Sequence, residues 1–194
     1  MKRLLILAAM VALAPVSAAA QAPGLDAILD EAEGLEPLEV VIVARDGEVL
    51  SERGYDGHDP NNPTNIKSAS KTIVSALVGI AIDRELIEGV DQPIADFLAE
   101  DFPDDPDPRL ADITIGNLLS MQAGLRPTSG PNYGRWVASG NWVRSALAQP
   151  FVTDPGGSMQ YSTGSSHLLS AILAEAGGAS TLDLAEDWFS TVPD

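Results

Sequence analysis

Ser68-Ala69-Ser70-Lys71 sets a hydroxyl three residues before an amine, just ahead of the apolar run Ile73-Val74-Ser75-Ala76-Leu77-Val78-Gly79-Ile80-Ala81-Ile82. The run is long enough for a buried helix. Residues three apart on a helix share a face, so the Ser68 hydroxyl and the Lys71 amine would meet at the positive end of the helix dipole. An amine acts as a base once it sheds its proton, and burial beside apolar side chains favours the neutral form. The pair therefore has the chemistry of a nucleophile and its base. Chance supplies Ser-x-x-Lys readily, and the same residues also read as an N-cap at Ser68 or Ser70 followed by a solvated lysine. Lysine usage favours the chemical reading. The chain holds three lysines, Lys2, Lys67 and Lys71, and its other cations are arginines, which stay protonated and cannot serve as bases.

Other side chains with chemical potential are sparse. His58 lies in a loop rich in Gly, Pro and Asn and reads as exposed. His167, inside an apolar helical pattern, could approach the site but reads first as a structural hydrogen-bonding residue. Two isolated histidines and no cysteine offer no metal-ligand set, so no metal site and no cofactor are implied. Tyr133, Trp136 and Trp142 sit on or beside an irregular stretch, where they could wall a substrate pocket or pack as core or lid.

Several elements must position these residues. Apolar spacing at Leu25, Ile28, Leu29 and Ala32 predicts an amphipathic helix over residues 24–33. Val40 to Ala44 reads as a buried strand and Glu48 to Tyr55 as its partner, joined by the hairpin turn Arg45-Asp46-Gly47. The Ser68 helix ends between Glu85 and Gly89. A short helix is expected near Asp91 to Leu98, and a solvated acidic loop over Asp101 to Pro108, which lacks the spacing of an EF-hand. Thr114 caps a helix that stops by Gly124; Arg126 to Gly140 reads as irregular; further helices follow over about 141–148, 164–176 and from Thr181. No repeat and no interdomain linker is evident.

Met1-Lys2-Arg3, the apolar run Leu4 to Ala14 and the small residues before Gln21 have the layout of a secretory signal peptide over residues 1–20. The remaining residues 21–194 form one domain of ordinary hydrophobicity, exported to a periplasm or beyond. A net charge of -17 repels nucleic acid and anionic lipid, so neither is an expected partner, and no membrane association is expected after signal removal.

Three motifs in order resemble the serine β-lactamase and penicillin-binding-protein superfamily, most closely its class C-type branch. They are Ser68-Ala69-Ser70-Lys71 after a hairpin, Ile113-Thr114-Ile115 with Leu118-Leu119 and Gly124-Leu125, and Pro155-Gly156 followed by Tyr161-Ser162-Thr163. The resemblance implies an α/β (α+β) fold with an antiparallel sheet flanked by a helical region. It implies Ser68 as nucleophile, Lys71 as its neighbouring lysine, and Tyr161 as the tyrosine that shuttles a proton between nucleophile and leaving group, with Lys71 or Tyr161 as the formal base. Tyr133, Trp136 and Thr163 are the expected substrate-binding residues. Two departures stand out. Thr163 replaces the asparagine of the family's Tyr-x-Asn motif, which fits a small ester or short amide better than a β-lactam. No Lys-Thr-Gly-like triad follows Tyr161, so the C-terminal sheet strands and one of two oxyanion donors are expected to be missing; losing one donor typically costs about a hundred- to thousandfold in rate. The expected function is an exported serine hydrolase cleaving a small ester or amide through a Ser68 acyl-enzyme. The alternatives are a truncated, inactive homologue that binds a ligand, and a β-lactamase or D-Ala-D-Ala carboxypeptidase-like enzyme.

Overall fold

The computed structural model describes residues 24–190; the predicted signal peptide lies outside them. The chain divides into two compact units, one up to Asn65 and one from Ile66. The first holds a helix, α1 (Leu25–Ala32), and an antiparallel hairpin of β1 (Val40–Arg45) and β2 (Glu48–Gly54). Asp46 (φ 51°) and Gly47 (φ 82°) turn the hairpin with the two left-handed residues that a tight primed turn requires. The register runs Val40 to Gly54 and shifts at a bulge between Val43 and Ala44. Leu29 of α1 is buried, the Tyr55 hydroxyl donates to its carbonyl at 2.9 Å, and Arg53 pairs with Asp30. The expectation of a buried β1 is corrected: Ile42 is 53% exposed. Within this unit the sheet has two strands and α1 packs against β2, so little covers β1.

The second unit is helical. A 3₁₀ turn (Lys67–Ala69) leads into α2 (Ser70–Asp83), followed by α3 (Ala95–Leu98), α4 (Ile115–Leu119), α5 (Tyr133–Val137), α6 (Trp142–Leu147), α7 (Thr163–Gly177) and α8 (Thr181–Ser190). The most buried helix is α7, not α2. Leu168, Leu169, Ile172 and Leu173 of α7 pack among Leu77 and Val78 of α2, Leu118 of α4, Leu147 of α6 and Trp188 of α8. Each such side chain contributes roughly 1.5–3 kcal/mol on burial. Of the apolar run after Lys71, only Leu77, Val78 and Ala81 are buried, and Ile73 is 41% exposed. Continuous apolar sequence identified a helix there but overstated its burial, because α2 packs one face only. The stretch read as irregular contains α5, a single turn anchored by the buried Trp136. Among the described residues, no single helix is long and apolar enough to cross a membrane.

Among the described residues the chain is helix-rich, and its two-stranded antiparallel sheet lies in the first unit.

Candidate active site

Ser68 lies in the 3₁₀ turn just before α2, one residue after Lys67, whose backbone is left-handed at φ 50°. A non-glycine residue there costs of order 1–2 kcal/mol, so the surrounding turn must hold it. Neither Ser68 nor Ser70 caps α2; the N-cap is Ala69, and the Ser70 hydroxyl instead donates back to the Lys67 carbonyl at 2.7 Å. That turn leaves the Ser68 side chain exposed and aimed at Lys71. The Lys71 Nζ donates to Ser68 Oγ at 3.0 Å.

Tyr161 completes the group. Its hydroxyl is hydrogen-bonded to Ser68, and this bond holds the phenol below the usual tyrosine range; desolvation opposes it, and Lys71 adds to the lowering through a hydrogen bond and its positive charge. The Lys71 ammonium also lies 5.4 Å from the centre of the Tyr161 ring. Tyr161 is 46% exposed, so the reacting side is open to small molecules.

Two hydrogen-bonded networks bring Tyr161 to this place. Gln160 N–H donates to the Met121 carbonyl at 2.7 Å, Gly156 N–H to the Gln122 carbonyl at 2.8 Å, and Gln122 Nε2 to the Gly157 carbonyl at 2.6 Å. The segments around Leu118–Gly124 and Pro155–Thr163, distant in sequence, are thus one pinned unit. At the start of α7, Thr163 N–H donates to Ser129 Oγ at 2.8 Å and Gly164 N–H to Thr128 Oγ1 at 2.7 Å. Hydroxyls from a loop some thirty-five residues earlier therefore satisfy helix donors that usually rely on a local cap. A Cβ on Gly164 would stand 2.8 Å from Thr128 Oγ1 and 3.2 Å from Ala146 Cβ, so the loop closes on this helix only because residue 164 is glycine. The sequence reading missed Thr128 and Ser129; a Pro-Thr-Ser-Gly turn signals a loop, not a distant cap.

Beside Lys71 opens a cavity of about 220 Å³. Tyr133, Trp136 and Thr163, the three expected substrate-binding residues, line it together with Trp142 and His167. Trp136 is only 4% exposed and serves as both core and wall, its Nε1 donating to the Trp142 carbonyl at 3.0 Å. His167 does not make the structural hydrogen bond expected of it among the described residues. Its ring stands edge-on to Trp136 and Trp142, with centres 5.7 and 5.4 Å away, and burial lowers its pKa. The Thr163 hydroxyl is 2.9 Å from Ser129 Oγ, so it already has a partner. His58, by contrast, is exposed in the first unit with its Nδ1 3.8 Å from Glu39.

The arrangement can polarise one hydroxyl between an amine and a phenol, next to an aromatic-walled cavity. The Beta-lactamase family model matches residues 30–191. The chain is 33% identical over 145 residues to a protein of Dichelobacter nodosus named for fimbrial assembly (FimD, serogroup H1), covering 71% of this chain and 36% of that protein. Its fold resembles FmtA from Staphylococcus aureus (TM-score 0.67, 19% identity, 89% of this chain and 47% of the other). It also resembles a class C beta-lactamase from Rhodobacter sphaeroides (TM-score 0.57, 22% identity, 84% and 46%). The chain thus spans about a third of the curated relative's length and less than half of each structure. With its family match extending from α1 to the end of α8, this chain belongs to the beta-lactamase family and has the serine hydrolase fold of that family.

Proposed function

We propose that this protein is an exported serine hydrolase that cleaves a small ester or amide through an acyl-enzyme on Ser68. The observation that carries the reading is the convergence of Lys71 Nζ, 3.0 Å away, and the Tyr161 hydroxyl on one serine oxygen. In the proposed reaction Ser68 Oγ attacks the carbonyl carbon while its proton passes into the Lys71–Tyr161 network. The network returns that proton to the departing alcohol or amine, leaving an ester on Ser68. Water then attacks this ester, gives one proton to the network and releases the acid, and Ser68 recovers its proton. Lys71 and Tyr161 act as a coupled pair sharing one exchangeable proton, not as separate acid and base.

The substrate class follows from the cavity and from Thr163. Walls of Trp136, Trp142 and Tyr133 favour a small apolar or aromatic group. The Thr163 hydroxyl, engaged by Ser129, has little left to offer a substrate amide, which favours esters and short amides over β-lactams. The n-region, apolar run and small residues of Met1 to Ala20 support export.

A fluorophosphonate probe tests the activity directly. Intact mass of the folded protein should show one adduct, absent in Ser68→Ala. A folded wild type that takes up no probe would overturn the hydrolase reading in favour of an inactive, ligand-binding homologue. Export is checked by expressing the full chain with an exported control; the mature protein should begin at Gln21.

A further inference from the structure

From Ile113 to Ala174 the chain carries a single acidic residue, Asp154, although its total of Asp and Glu is 28. Asp154 is itself engaged by Arg109 at 3.3 Å. The same stretch carries Arg126, Arg135 and Arg144. Arg144 lies 3.8 Å from Asp104, whereas neither Arg126 nor Arg135 has a carboxylate partner among the described residues. Both line one cavity of about 320 Å³, together with Asn132, Ser139, Gln149 and the ring of Trp136. No acidic side chain lines it.

We propose that this cavity is a binding site for a small organic carboxylate, separate from the aromatic cavity beside Lys71 and sharing the Trp136 wall with it. Four observations carry the assignment. A guanidinium offers a planar fork of N–H donors that matches a carboxylate, and two arginines line this cavity without a carboxylate partner among the described residues. The Arg135 side chain is near a fixed acceptor: its Nη2 donates weakly to Asn132 Oδ1 at 3.4 Å, while Asn132 Nδ2 donates to the Pro127 carbonyl at 2.9 Å. The Arg126 backbone is fixed by donating to the Pro150 carbonyl at 2.9 Å. Finally, the volume lies at the lower end of the roughly 300–1,000 Å³ typical of small-molecule sites, and Trp136 supplies an apolar face for a short carbon chain. On a molecule of net charge -17, an anion is repelled at long range, so a cavity free of acids is where one can settle.

The proposal does not depend on Ser68 chemistry, and its test is read by binding alone. Glutarate is titrated calorimetrically into the full chain at low ionic strength, with neutral glutaramide and inorganic phosphate as controls. Glutarate should bind at least about tenfold more tightly than glutaramide, and raising the salt should weaken it. Arg126→Gln and Arg135→Gln should each weaken glutarate about tenfold or more, Arg126→Lys and Arg135→Lys less. Arg45→Gln, on the hairpin, should leave binding unchanged. Equal binding of glutarate and glutaramide, no binding of either, or phosphate binding more tightly than glutarate would overturn the carboxylate assignment. Unchanged affinity in both folded glutamine variants would remove it from this cavity. Should those variants fail to fold, the comparison of charged and neutral ligand on wild type still decides.

Discussion

The starts of α2 and α7 face the same chemistry but are built in opposite ways. The α2 start is local and exposed: a 3₁₀ turn, a left-handed Lys67, no side-chain cap, and one hydroxyl bond from Ser70 back to Lys67. The α7 start is buried and non-local, its N–H groups satisfied by Thr128 and Ser129. Ser68 is therefore presented by a few neighbouring residues, whereas Tyr161 is held by contacts that exist only once the loop at Thr128 has closed on Gly164. The nucleophile's position is a property of a short peptide. The proton partner's position is a property of the folded unit.

The strongest way to break this contrast is at the group both starts share. Lys71→Met removes the amine 3.0 Å from Ser68 Oγ, and fluorophosphonate labelling should slow by about 10²–10⁴-fold without loss of fold. Tyr161→Phe should slow labelling as well, and its diagnostic is the pH profile. Because Ser68 and Lys71 hold the Tyr161 phenol below its ordinary value near 10, the phenolate forms at lower pH than in a free tyrosine, and labelling that uses it climbs with pH in that earlier window. The climb should vanish in Tyr161→Phe; a wild-type rate that stays flat across the alkaline range would contradict the role.

The two starts should also differ in what they contribute to stability. Thr128→Ala deprives Gly164 N–H of its buried acceptor and takes a partner from Ser162, so chemical denaturation should show a loss of about 1–3 kcal/mol. It should slow labelling too, although Thr128 does not contact Ser68, because Tyr161 loses its anchor. Ser70→Ala at the other start deletes one exposed bond and should cost under about 1 kcal/mol. If Ser70→Ala proves the more damaging of the two, the division into a local and a non-local start is wrong.

Local patterns carried much of the fold. Asp46-Gly47 specifies its turn through backbone conformation, Thr114 caps α4 through a hydrogen bond three residues on, and the helices at α2, α7 and α8 follow from apolar spacing. Each rests on interactions within a few residues. The errors have one source as well. β1 and α2 were read as buried because their residues are apolar, but burial depends on what packs against them. For the same reason α7, whose sequence is less uniformly apolar, became the core helix.

For the site, residue types and order alone singled out Ser68 and Lys71, because a three-residue spacing at a helix start puts both side chains on one face and lysine is scarce elsewhere in the chain. The motif resemblance added Tyr161. That Tyr161 lies on Ser68 was decided by tertiary structure, since Thr128, Ser129, Met121 and Gln122 place the Tyr161 segment, α7 packs against α2, and no short-range rule links the two residues. The aromatic cavity was half legible: Tyr133, Trp136 and Thr163 were named from sequence, while His167 joined them through a fold contact with two indole rings. That Arg126 and Arg135 line one cavity was decided by the fold alone. The sequence by itself determined the chemical groups and their local geometry, because those depend on bond lengths and helix pitch. Only the packing of the second unit determined which groups meet, because that depends on how helices distant in the chain fill one core.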